Sequence, residues 1–294
     1  MADQLVRLHL KEPDLLVVGV LCTETARAAR ELHRCLPTSA AFFAEALAAG
    51  FGIAGLLGDN ARINLQLTCD GPLKGLFVDA DAQGRTRGYV RNPSVNFLDS
   101  APSAALGRDG ALSVLRDLQN GEIYRGAIGL EHLELSRDLE RYYRESDQLE
   151  TLVRVEVTAA AEEPLGRVAA LFVQRMPSAE EAAVERVRAA LADQPLEAAG
   201  PRGPARAFDL TQPVARLFSG DWELHAEYPL VYDCGCSAER VLRAVTAMGR
   251  PEIEDMLVRE GRAVATCAFC NKTYEVSADE LRRLLAKLGA GPAQ

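Results

Sequence analysis

Over the first 176 residues the apolar positions switch repeatedly between a two-residue and a helical period. Leu15–Cys22 is a continuous apolar run suited to a strand buried on both faces. Thr25–His33 reads as a helix, Pro37 interrupts it, and Thr38 or Ser39 is placed to cap a long helix through Leu47. Ile63, Leu65 and Leu67 alternate within Arg62–Thr68, and the turn Asp70-Gly71-Pro72 leads into a second strand, Leu73–Asp79, so this pair is a predicted hairpin. Arg87–Val90 adds a short strand. Ala111–Asp117 and Ile123–Leu130 pair across Asn120-Gly121, Ser136–Glu145 reads as a helix, and Leu152–Thr158 and Val168–Gln174 read as strands. Hairpins mixed with helices, rather than strict strand–helix alternation, predict an α+β domain over 1–176.

The pattern weakens after Met176-Pro177. Six of the fourteen prolines fall between Pro177 and Pro229, and Gly200–Ala207 is too rich in Pro and Gly to hold regular structure. Two helical pieces remain. Ser178–Asp193 opens with a capping box from Ser178 to Glu181 but has a mostly Ala and Val face. Leu210–Phe218 places Leu210, Val214, Leu217 and Phe218 at helical spacing as candidate anchors. Such short helices are marginal alone and need docking, so 177–228 is expected to be a metastable, partly helical linker.

Residues 229–294 carry the candidate chemistry. Cys234-Gly235-Cys236 is followed by thirty residues (237–266) and then Cys267-Ala268-Phe269-Cys270. Two tight turns present two sulfurs each, and four thiolates suit one tetrahedral, thiophilic ion, with zinc the default. Ser237 is placed to cap a helix through Val241, Leu242 and Val245. Asn271 sits where a left-handed backbone is often needed, Thr273–Val276 reads as a return strand, and Ser277–Glu280 as a capping box. The same thiolates can also be oxidised to disulfides, with loss of the metal and its folding energy. Spacing alone leaves both a permanent structural zinc and a redox switch open.

Composition narrows the classes. The chain of 294 residues is 48% hydrophobic and carries a net charge of −9, an acidic balance that argues against a nucleic-acid surface. Seven cysteines, four of them in metal spacing, suggest a reducing compartment, the cytoplasm. No export signal is visible, and Ala40–Gly58, the one stretch apolar enough to suggest a membrane span, reads better as a helix buried in a core. Gly50-Phe51-Gly52-Ile53-Ala54-Gly55 matches the dinucleotide fingerprint by letter, but it follows a helix instead of a strand, so close packing explains these glycines better. Cys22, Cys35 and Cys69 read as structural, and His33, two residues from Cys35, as a surface histidine. No hydrolase elbow, zinc-protease helix or P-loop is present, and no catalytic residue is assigned. A thiol oxidoreductase using Cys267 and Cys270 would normally sit on a βαβ scaffold, which the sequence does not offer.

Several stretches together resemble the heat-shock protein 33 family of redox-regulated holdase chaperones. They are Gln66–Leu73 (QLTCDGPL), Arg87-Gly88, Gly121–Leu130 (GEIYRGAIGL), Tyr142–Leu149 (YYRESDQL), Gln174–Pro177 (QRMP), Val214–Phe218 (VARLF), Cys234–Ser237 (CGCS), Cys267–Cys270 (CAFC) and Tyr274. The sequence departs from the family at Val18, at Cys69 where a glycine is common, and at Asn271 in place of a glycine. The resemblance implies one zinc held by Cys234, Cys236, Cys267 and Cys270 when reduced. It further implies disulfides Cys234–Cys236 and Cys267–Cys270 when oxidised, linker unfolding, ATP-independent holding of unfolding client proteins, and a homodimer in the oxidised state. The rival readings are a constitutive binding module with purely structural zinc and the thiol oxidoreductase.

Overall fold

Helix α2 (Pro37–Leu56) is the element about which the larger part of the chain packs. In the computed structural model, residues 3–58, 60–97, 102–159, 163–192, 196, 207–218 and 221–289 are described. They divide into two compact units, Met1–Asp233 and Cys234–Gln294.

In the first unit a five-stranded sheet has the order β10 (Trp222–Pro229), β1 (Gln4–Leu10), β2 (Leu15–Leu21), β9 (Arg167–Arg175), β8 (Thr151–Thr158), antiparallel throughout. A six-stranded sheet has the order β11 (Val231–Tyr232), β5 (Arg85–Val90), β4 (Gly75–Asp81), β3 (Arg62–Cys69), β6 (Gly110–Asp117), β7 (Ile123–Gly129), and only β11 runs parallel to its neighbour. α2 packs against strands of both sheets, with α1 (Thr23–His33) and α3 (Leu135–Tyr142) beside it. Its length and composition would allow a membrane crossing, but 89% of its apolar window is buried inside the protein. The glycines explain how the helix comes so close. A Cβ at Gly52 would lie 2.0 Å from the Phe172 ring, and Cβ atoms at Gly50 and Gly55 would crowd Val78 and Val18. They are contact points between helix and sheets, and no phosphate is needed to account for them.

The period-two pattern splits the five-stranded sheet cleanly. Leu5, Val18, Val20, Val168, Ala170 and Phe172 face the α2 core. Val6, Leu8, Val17, Leu171 and Val173 face the opposite side, where α4 (Ala183–Leu191) and α5 (Ala207–Phe218) cover them.

Local expectations fail in instructive ways. The helix expected to end at Leu47 continues to Leu56, because its central turns are apolar on all sides and wholly enclosed. Neither Thr38 nor Ser39 caps it. Pro37 takes the first turn, the Ser39 hydroxyl donates to the Leu36 and Pro93 carbonyls, and Thr38 Oγ1 accepts the Phe97 N–H. The Ser178 capping box does not form either. α4 starts at Ala183, while Ser178 donates its N–H and hydroxyl to Asp14 in the β1–β2 turn. Asp193 and residues 200–206 of the Pro/Gly break lie outside the described residues.

The second unit is small. α6 (Ala238–Met248), α7 (Arg250–Arg259), the hairpin of β12 (Arg262–Thr266) and β13 (Thr273–Ser277), and α8 (Ala278–Gly289) enclose Val245, Ile253, Ala263, Val276 and Leu281.

Candidate metal centre

Two turns bring four sulfurs together. Cys234 and Cys236 lie between Asp233 and the start of α6, and Gly235 between them takes φ +58°, a conformation that costs glycine nothing. Ser237 caps α6 by accepting the Arg240 N–H at 3.3 Å, which fixes where the first turn ends. Cys267 and Cys270 sit at the tip of the β12–β13 hairpin. There the Cys267 N–H donates to the Lys272 carbonyl at 3.0 Å, the Asn271 N–H donates to the Cys267 carbonyl at 2.8 Å, and Asn271 takes φ +55°. Ser277 and Glu280 form the reciprocal capping box that starts α8.

All four Sγ atoms lie within 4.8 Å of one another. Two sulfur contacts run across the pairs: Cys234 to Cys267 at 3.3 Å and Cys236 to Cys270 at 3.3 Å. A tetrahedron of zinc–sulfur bonds of about 2.3 Å has edges of about 3.8 Å, so the cluster has the size and the soft donor chemistry that such an ion requires. Cys236 also lies 3.0 Å from the Tyr274 hydroxyl, and this hydrogen bond is the first cause holding its thiol down to about 7. Burial pushes the Cys234 and Cys270 thiols up, and the Cys236 contact raises Tyr274 to about 12. Sequence reasoning noted Tyr274 without assigning it a task. On a strand of period two its neighbour in the site could not be read from spacing.

The other singled-out residues lie in the first unit. Cys22 and Cys35 are buried and Cys69 is half-buried at the end of β3. His33 is not a surface residue. It is buried against the Phe43 ring with Nε2 3.0 Å from the Tyr232 hydroxyl, because α1 packs beside β11. Among the anchors, Leu210 and Val214 are fully buried against the five-stranded sheet, and Phe218 is half-buried with the Arg186 guanidinium 4.7 Å from its ring centre. Leu217 points outward and is 37% exposed.

The model of the family described as "Hsp33 protein" matches residues 3–277. A 33 kDa chaperonin of Gloeobacter violaceus is 35% identical over 98% of this chain and 97% of its own length. One from Thermodesulfovibrio yellowstonii is 30% identical over 97% and 100%. Among solved structures, the 33 kDa chaperonin (heat shock protein 33 homolog) of Thermotoga maritima superposes with a TM-score of 0.82 at 22% identity, covering 98% of this chain and 99% of that one.

Proposed function

The chain belongs to the Hsp33 family, and from that premise we propose that it is a redox-regulated, ATP-independent holdase of the cytoplasm, switched by oxidation of its four-cysteine cluster. The observation that carries the reading is the convergence of four sulfurs within 4.8 Å in a unit with little core of its own.

In the reduced state Cys234, Cys236, Cys267 and Cys270 would bind one zinc as thiolates. The bound ion supplies charge neutralisation and folding free energy to a unit whose apolar core is too small to supply much. Oxidation removes the donors. A thiolate attacks a peroxide oxygen and the O–O bond breaks, giving a sulfenic acid and hydroxide. A second thiolate then attacks that sulfur, an S–S bond forms and a second hydroxide leaves. Two electrons pass from sulfur to peroxide, and two protons from solvent complete two waters. Family resemblance favours the neighbour pairs Cys234–Cys236 and Cys267–Cys270.

The segment that responds is the linker, 177–228, between a chaperone domain over 1–176 and a switch domain over 229–294. α4 has a narrow Ala and Val face, and α5 carries Pro213 in its interior, so both depend on docking. Their release would uncover Val6, Leu8, Val17, Leu171 and Val173, a contiguous apolar sheet face able to hold unfolding clients. β10 is held by a seven-pair ladder to β1 and would leave last. Exposed apolar faces of this kind also favour a homodimer of the oxidised form.

The test is paired. Zinc content and suppression of aggregation of a heat-unfolded enzyme are measured on the same sample before and after peroxide. One zinc per chain lost as holding appears supports the switch; unchanged holding with or without oxidant would leave a constitutive module with structural zinc.

A further inference from the structure

The Cys236 sulfur has a side-chain partner outside the cluster. The Tyr274 hydroxyl lies 3.0 Å from it, and a phenol beside a metal-bound thiolate can only donate. Tyr274 is held for this task. It sits on β13 opposite Ala265, inside a five-pair ladder, and its ring has the Lys272 ammonium 5.2 Å from its centre. A cation over the ring draws electron density from the phenol and makes it a better donor.

We propose that Tyr274 is a positioning residue that sets the oxidant threshold of the centre, by donating a hydrogen bond to the Cys236 sulfur and restraining that sulfur's attack on peroxide. The assignment rests on the metal-centre reading above. Attack on the peroxide O–O bond needs electron density at sulfur, and a donated hydrogen bond withdraws it, as hydrogen bonds to sulfur do in other metal–thiolate sites. The same withdrawal makes the sulfur a slightly weaker ligand. Removing the hydroxyl therefore has two effects of opposite sign: faster oxidation and slower passive loss of metal. A merely structural role would give one sign, since a loosened turn speeds both.

The experiment uses the reduced, zinc-loaded full chain as wild type and as Tyr274→Phe, which keeps the ring and removes only the donor. Zinc transfer to a chromogenic chelator is followed with and without peroxide. We expect peroxide-driven release to be about tenfold faster in Tyr274→Phe, at the low end of outer-shell effects on metal sites, with passive transfer unchanged or slower. Equal peroxide rates would overturn the assignment, and so would a parallel acceleration of both rates. A wild type that took up no zinc would instead overturn the metal-centre reading, and this assignment with it.

Discussion

Arg188 on α4 places Nη1 3.0 and 2.8 Å from the two carboxylate oxygens of Glu140 on α3, while Glu140 Oε1 also accepts the Val153 N–H at 2.9 Å. The far end of the same helix is held too. Arg154 donates to the Leu191 carbonyl and pairs with Glu156, whose other oxygen accepts the Leu196 N–H at 2.8 Å. α4 is thus fastened to the first unit by charge as much as by its thin apolar face. Because Arg188 is 41% exposed, solvent screens the pair, and Glu140→Gln should cost only about 0.5–1 kcal/mol. That is enough to bias a marginal element. We expect less peroxide to be needed for half-maximal holding, and reduced wild type to leak activity at high salt while the variant shows less salt dependence. A peroxide titration of aggregation suppression at two ionic strengths measures both.

The buried anchors should behave differently from the exposed one. Leu210→Ala opens a cavity under α5 and should destabilise its docking by about 2–5 kcal/mol, giving partial holding activity in the reduced, zinc-loaded protein. Leu217→Ala, at a position 37% exposed, should change stability by less than about 0.5 kcal/mol and leave the reduced protein inactive. Equal activation by the two would disconnect α5 docking from inhibition.

The three first-unit cysteines should take no part in switching. Burial pushes the Cys22 thiol well up and the Cys35 thiol to about 11, and raises Cys69 as well, so at neutral pH all three stay protonated and unreactive. Mass spectrometry after peroxide and alkylation should find Cys22 and Cys35 still reduced. The variant with Ala at all three positions should still release zinc.

Acid should loosen the start of the linker. Asp14 accepts from Ser178 and from His9, and these hydrogen bonds, Ser178 first, hold its carboxyl below the usual range. A depressed carboxyl stabilises the fold fully above its unfolded value near 3.9, and that stabilisation is lost as pH falls through the folded value. Asp14→Asn keeps a residue tolerant of φ +66°. It should lower the urea midpoint of the reduced protein at pH 7, and the gap should narrow at pH 3.

How much could be read in advance depended on whether the deciding contacts were local. The sulfur-bearing turns, the Asn271 conformation and the Ser277–Glu280 box are set by residues within a few positions of one another, and the sequence pattern carried them. Most strands of the first unit were legible for the same reason, through period-two alternation and turn residues. The failures are long-range. Ser178 looked like a cap until Asp14, 164 residues away, is seen to take its donors. β10 alternates Trp222, Leu224, Ala226 and Tyr228 with polar residues, but Trp222 and Leu224 stay exposed and the ladder to β1 is what holds it in the sheet. β1 went unread at the chain's start, and α7, which buries only Ile253, gave too faint a stripe to register. The Tyr274–Cys236 contact joins a turn and a strand 38 residues apart, so only folding reveals it.

Hydrogen exchange across α4 and α5, read before and after peroxide alongside client holding, tests the switch most directly. In the reduced, zinc-loaded protein the amides of Ala183–Leu191 and of Ala207–Phe218 should be protected by docking on the five-stranded sheet. After oxidation they should exchange near the unprotected rate as holding appears, while β2 and β9 at the centre of the sheet keep their protection. Protection of α4 and α5 that survives oxidation unchanged while holding switches on would contradict linker release as the origin of the activity.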